Sequence, residues 1–173
     1  KSYTSHSSDK LHNEVIESLK HEWNVVLVSD AGTPCISDPG VLLVKRVRNE
    51  LPEASIVAIP GPSALVSALS ISGISASEFT FLGFLPHKKG RETALKKIVE
   101  IEHPVVMYES THRILKLLDE LHKWVGDRNI GVAKEITKMH EGYFYGTALH
   151  LLEIFEKNKE KTKGEFVVIV DAK

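Results

Sequence analysis

The sequence predicts an α/β protein built as two lobes, with a parallel sheet in the first and a mixed sheet in the second. Three observations carry this. Short apolar runs alternate with segments whose apolar residues recur at helical spacing. Glycine and proline punctuate the ends of the runs. The final run, residues 166–170, is five apolar residues in succession, the mark of a strand covered on both faces. In chain order, Asp9 is placed to cap a helix carrying Leu11, Val15, Ile16 and Leu19 on one face. Residues 25–28 read as a buried strand. Asp38 and Pro39 read as the cap and first residue of a helix with Val44, Val47 and Leu51 inward. Residues 55–59 give a second buried strand, broken by Pro60, Gly61 and Pro62. Ser63 is the expected cap of a helix bearing Leu65, Val66 and Leu69, which Gly73 ends. Residues 79–84 form a third strand. This alternation is the order expected of parallel pairing through crossovers.

Residues 86–90 read as a hinge, which puts the boundary near Leu85 and divides the chain into 1–84 and 85–173. Beyond it come a helix over 91–102 and a strand over 104–108. A helix follows with Ile114, Leu118, Leu121 and Val125 on one face. Two strands, 130–136 and 142–146, are joined by a polar turn and expected to pair antiparallel. A helix from Thr147, a charged loop up to residue 163 and the closing strand complete the lobe.

Of the 173 residues, 42% are hydrophobic and 26% charged, a globular balance that supports a core without disulfide or metal. The single cysteine, Cys35, excludes an internal disulfide and a cysteine-rich zinc site, and fits a reducing, cytoplasmic setting. The nine histidines show no HExxH spacing, and no metal is expected. Apolar runs of five or six residues are too short to span a membrane, and the polar opening does not read as a signal sequence. A net charge of −1 excludes a uniformly basic nucleic-acid-coating surface but not a local basic patch.

Two strand-end loops stand out, residues 29–40 and 60–64. Ligands in open α/β sheets sit beyond the carboxyl ends of strands. Glycine lets a ligand approach the backbone, and proline holds a loop's shape so that less entropy is lost on binding. The second loop is also readable as a simple tight connection. The first is twelve residues long where about 2–6 is usual, and long loops are often functional. Neither matches GxxxxGK[ST] or GxGxxG, which weakens ATPase and dinucleotide readings.

The string SDAGTPCISDPG at 29–40 and IPGPSA at 59–64 resemble the tetrapyrrole-methylase superfamily. GFLPHKKG at 83–90, YESTHR at 108–113, KEITKMHEGYFYGT at 134–147 and KGE at 163–165 are similar too, in the family's order and over nearly all of the chain. They most resemble the branch that methylates the ribose 2′-hydroxyl of a cytidine in bacterial small-subunit ribosomal RNA. The resemblance implies S-adenosylmethionine as methyl donor, in a cleft between two α/β lobes. It implies that Asp30, Ala31, Gly32, Thr33 and Ile36 line the cofactor, that Pro60, Ser63 and Ala64 contact it, and that Tyr108 and Glu109 close over it. It also implies a homodimer, with ribosomal RNA or the small ribosomal subunit as partner. Cys35 stands where glycine is more usual, Thr111 where proline is usual, and His87 where arginine is common. The family's opening strand, its TPIGNL-type loop, the next helix and an EDTR segment have no counterpart in these residues, so the first lobe is expected to be incomplete, as a fragment or as a shortened homologue that binds poorly or fills the gap from a partner chain.

Methyl transfer from a sulfonium expels a neutral thioether, so the chemical difficulty lies at the weakly nucleophilic ribose hydroxyl. Glu135 and Lys138 are the catalytic candidates: a lysine of lowered pKa to take the proton and a carboxylate to orient it. The same two residues also read as a surface ion pair. His87, Lys88, Lys89 and Arg91 form the densest basic cluster, suited to RNA phosphates or to solvent. Arg113 fits either a phosphate or a structural carboxylate. The alternatives are a tetrapyrrole or protein side-chain methylase of the same superfamily, and an incomplete lobe that binds RNA or a partner without turnover.

Overall fold

In the computed structural model, which describes residues 1–4 and 7–173, the apolar runs of the second half pair into one sheet. Its strands are β1 (Thr80–Phe84), β2 (Val105–Ser110), β3 (Asn129–Lys134), β4 (Gly142–Thr147) and β5 (Glu165–Val170). The order is β1-β2-β5-β3-β4; β1 and β2 are parallel and the other pairs antiparallel. The mixed sheet expected of the second lobe is therefore present. β5 lies between β2 and β3, which explains its unbroken apolar run: Phe166, Val168 and Val170 face one core, and Val167 and Ile169 the other.

Helices cover both faces. α4 (Arg91–Glu100), α5 (Ile114–Val125) and α6 (Ala148–Lys157) enclose the larger core, around Leu95, Ile98, Leu117, Leu121, Leu151 and Phe155. Fully burying each such side chain is worth about 1.5–3 kcal/mol. α3 (Ala64–Ser72) covers the opposite face through Leu65 and Ala68, while Val66, expected inward, is exposed. Gly73 ends α3 with φ +68°, as expected. Thr147 caps α6 by accepting from the His150 N–H at 3.3 Å.

The chain divides into Lys1–Ser63 and Ala64–Lys173, earlier than the boundary expected at Leu85. Segment 64–84 joins the second unit because α3 buries its apolar face there and β1 hydrogen-bonds to β2. The first unit holds α1 (Asp9–Lys20) and α2 (Val41–Glu50), packed through Ile16, Leu43, Val47 and Leu51. Its expected parallel sheet is absent among the described residues. Segments 25–28 and 55–59 pair with no strand, and Val26 and Val57 are 79% and 72% exposed. An apolar run encodes the need for cover without naming the partner strand, and here the described residues supply none. Two caps also differ. Ser8 precedes α1, with Asp9 inside the first turn, and α2 begins at Val41 after Gly40, not at Pro39 after Asp38.

Gly131 on β3 has a specific packing reason. A Cβ there would land on the Tyr143 hydroxyl, which donates to the Ser72 carbonyl at 3.2 Å and so ties β4 to the end of α3. Burial, with smaller contributions from Tyr145 and Asp171, pushes the Tyr143 phenol up to about 12, so it remains a donor at neutral pH. Gly131→Ala is expected to destabilise by about 1–3 kcal/mol through overpacking. Urea unfolding checks this, and an unchanged midpoint would refute it.

Candidate functional site

Within the first unit, the two glycine- and proline-rich loops meet. Thr33 Oγ1 donates to the Pro62 carbonyl at 3.3 Å, although the two residues are 29 apart in sequence. Ser29 Oγ donates to the Ala31 and Gly32 carbonyls at 3.1 and 2.7 Å, which folds the first loop back on itself. Gly32 sits at φ +71°, and a Cβ there would lie 3.7 Å from the Pro62 carbonyl oxygen. Conformation, more than space, thus selects glycine at that position. Cys35 has φ +72° and Ser37 +59°, so the loop stores strain at two residues that carry side chains. The left-handed backbone at Cys35 is where glycine costs least, which fits the glycine more usual there; nothing in the structure explains the cysteine. Its thiol is pushed up by burial and by Asp38, so it stays protonated. Gly40 backs the loop: a Cβ there would meet Cys35 Sγ at 2.6 Å and Leu27 Cδ2 at 2.7 Å. Asp30, Ala31, Gly32, Thr33, Ile36 and Pro60 are all at least partly exposed, and Ser63 is half-buried.

The second unit gathers the remaining motifs at one end of its sheet. The register pairs Ser110 with Glu165, Lys134 with Phe166 and with Gly142, and Phe84 with Tyr108. Strands β1, β2 and β3 therefore end where β4 and β5 begin. Ala64 and Tyr108 pack against the same apolar cluster, and Tyr108 meets Phe81 and Phe84 at ring-centroid distances of 5.0 and 5.5 Å. Thr111 Oγ1 donates to the Gly164 carbonyl at 2.8 Å and accepts the Gly164 N–H at 2.7 Å. That clamp joins the 108–113 and 163–165 motifs and gives Thr111 a role proline could not fill.

The catalytic candidates lie at the same end. Glu135 accepts from the Glu165 N–H at 2.8 Å and from Lys138 Nζ at 3.1 Å, and Lys138 also reaches Glu165 at 2.7 Å. Gly164 leaves room for this, since a Cβ there would lie 2.5 Å from Glu135 Cγ. The sign of the Lys138 shift corrects the expectation for it. Hydrogen bonds donated to Glu165 and Glu135 raise its ammonium above the ordinary 10.5, whereas a general base needs a lowered value. The Glu165 N–H, with Lys138, lowers Glu135 below 4.5. A raised lysine contributes below its ordinary value and a lowered carboxylate above its own. Both charges therefore persist across the neutral range, and neither titrates there.

Glu109 and Arg91 also differ from expectation, and Arg113 takes the structural carboxylate among its two readings. Glu109 is 1% exposed and Arg91 is 5% exposed. Arg113 Nε and Nη2 lie 2.7 and 2.9 Å from the two Glu109 oxygens, and the Ser110 N–H donates to Glu109 at 2.8 Å. Arg91 Nε donates to both Glu120 oxygens at 3.0 and 2.8 Å. The carboxylate expected over a cofactor and these two arginines are thus engaged in one buried network. Glu120, which no sequence motif singles out, lies 29 residues from Arg91, and no local spacing signals the pair. His87, Lys88 and Lys89 are exposed as expected, and His87 and Lys88 line a shallow groove with Lys116 and Trp124. Among the described residues no group of three or more His, Cys, Asp or Glu is placed to hold a metal, and no helix is long and apolar enough to cross a membrane.

Residues 4–152 match the family of Tetrapyrrole (Corrin/Porphyrin) Methylases. The chain is 40% identical over 172 residues to a ribosomal RNA small subunit methyltransferase I of Thermotoga maritima, covering 99% of this chain and 76% of the relative. It is 42% identical over 172 residues to the protein of that name from Haemophilus influenzae, covering 97% of this chain but 59% of the relative. The fold resembles the methyltransferase CobJ, with TM-score 0.67 and 17% identity over 97% of this chain and 72% of that one. It also resembles uroporphyrin-III C-methyltransferase of Thermus thermophilus complexed with S-adenyl homocysteine, with TM-score 0.57 and 12% identity over 97% and 75% of the two chains. With its motifs in the family's order and its two loops joined, the chain belongs to the tetrapyrrole methylase family.

Proposed function

We propose that this chain carries the cofactor loops and catalytic lobe of an S-adenosylmethionine-dependent methyltransferase. Its acceptor is the ribose 2′-hydroxyl of a cytidine in small-subunit ribosomal RNA. The hydrogen bond between Thr33 and Pro62 carries the reading, because it makes one cradle of two loops that are distant in sequence. The relatives of about 40% identity, named as small-subunit ribosomal RNA methyltransferases, supply the substrate class.

The residues present fit the cofactor. Exposed backbone at Ala31 and Gly32 suits close approach of a nucleoside, and exposed Ile36 offers an apolar surface. Asp30, Thr33, Pro60 and Ser63 complete this set. When bound, S-adenosylmethionine supplies an electrophilic methyl group on a neutral leaving thioether. The chain's own part is positioning, worth effective molarities up to about 10⁵–10⁸ M in well-oriented systems. Glu135 and Lys138, ionised throughout the neutral range, orient the acceptor ribose by hydrogen bonding and charge. His87, Lys88 and Lys89 hold phosphates.

The proposed setting is cytoplasmic. The proposed assembly is a homodimer, which sedimentation at twice 19.3 kDa would support and at 19.3 kDa would refute. Labelled methyl transfer to small ribosomal subunits tests the activity, with a tetrapyrrole acceptor as the comparison. The Lys88→Ala, Lys89→Ala double variant is expected to bind ribosomal RNA more weakly. Its slope of log affinity against log salt should be shallower by about 0.7 for each phosphate that the two lysines no longer neutralise. An unchanged slope would remove both lysines from the RNA-binding surface.

A further inference from the structure

The basic loop is anchored at its base by buried charge. Arg113 Nη2 donates to the Leu85 carbonyl at 2.8 Å, and Arg91 Nη1 donates to the next carbonyl, that of Pro86, at 3.0 Å. Each guanidinium is in turn gripped by a carboxylate, Arg113 by Glu109 and Arg91 by Glu120. Arg91 Nη2 also lies 3.9 Å from Glu109, which joins the two pairs into one network. The Arg91 backbone N–H donates to the Lys88 carbonyl at 3.1 Å, and Gly90 turns the chain into α4 at φ +86°. The segment from Leu85 to Arg91 is therefore fixed at both ends, while the side chains of His87, Lys88 and Lys89 project from it into solvent.

We propose that Arg91 and Glu120 are positioning residues for RNA: they pre-organise the loop so that its cations meet phosphates in a fixed arrangement. This rests on the RNA reading above and adds to it how the binding surface is built. A guanidinium suits the task because its rigid planar fork holds both carboxylate oxygens and a carbonyl in fixed directions, whereas an ammonium is a point charge on a flexible stem. A loop ordered before binding loses less entropy when it engages the ligand.

Charge alone and positioning predict opposite signs for one variant. Glu120→Gln removes a negative charge from beside a basic loop, so electrostatics alone would tighten RNA binding. Positioning predicts weaker binding, by about three- to tenfold, because Arg91 loses its grip and the loop must be ordered on binding. The probe is deproteinised small-subunit ribosomal RNA, titrated at several salt concentrations. We expect the salt slope to match the wild type, since Lys88 and Lys89 are retained. Amide hydrogen exchange at residues 87–90 should accelerate in the free protein. Arg91→Lys, which keeps the charge, should behave the same way and serves if Glu120→Gln fails to fold. Unchanged or tighter binding in these variants overturns the proposal, as does unchanged exchange at 87–90. If the Lys88→Ala, Lys89→Ala variant binds RNA like the wild type, the RNA role of the loop falls, and the positioning role falls with it. Faster exchange in Glu120→Gln would then show an anchored loop with no part in RNA binding.

Discussion

Glu109→Ala is expected to cost the second unit about 3–5 kcal/mol of stability. The carboxylate is buried at the end of β2, with Arg113 on both oxygens and the Ser110 N–H on one. Alanine would leave the Arg113 guanidinium, itself largely enclosed, facing a space with no counter-charge. An unpaired charge in such a site costs more than the intact pair contributes. Both arginines also hold carbonyls at the base of the basic loop, so the loss should extend to the start of α4 and α5. Urea unfolding should show a lower midpoint with an unchanged denaturant slope. A loss below about 1 kcal/mol would mean that the pair is solvated and contributes as surface ion pairs do.

Gly32→Val is expected to weaken S-adenosylmethionine binding by at least about a hundredfold, with little change in overall stability. At φ +71° a β-branched residue is strongly disfavoured, so the backbone leaves that conformation. The displacement would part Thr33 from the Pro62 carbonyl and open the join between the loops. An exposed loop contributes little to the cores, which explains why folding should survive. Calorimetry with the cofactor reads the change directly. Normal affinity in the variant would mean that the loop does not touch the cofactor. The expected loss follows from backbone conformation, since the position of the added Cβ is itself at an ordinary van der Waals distance of 3.7 Å.

How far the fold is legible in the sequence depends on whether a segment carries its own partner information. The five apolar residues of β5 demand a strand covered on both faces, and β5 is one, between β2 and β3. The Ile114, Leu118, Leu121 and Val125 stripe marks α5 in the same way. Residues 25–28 and 55–59 show the same kind of run, yet a run says only that cover is needed. The boundary differs for a related reason: the strand at 80–84 groups with its neighbours in sequence, while its pairing partner is β2.

The site is legible where its residues are local. Glycines and prolines in 29–40 and 60–64 mark both loops, and the hydrogen bond between Thr33 and Pro62 joins them. Charges are harder, because the partner decides what a charge does. Arg91 sits in a basic cluster by sequence, but Glu120, on the next helix, draws it inside. A role as base would need a lowered pKa for Lys138; Glu165, distant in sequence but near it in the fold, and Glu135 raise it instead.

Amide chemical shifts during titration with S-adenosylmethionine test most directly whether the joined loops form the cofactor cradle. The largest changes are expected at Ala31, Gly32 and Thr33 together with Ser63 and Ala64, saturating as one event. Saturable binding that leaves those five amides unmoved would contradict it.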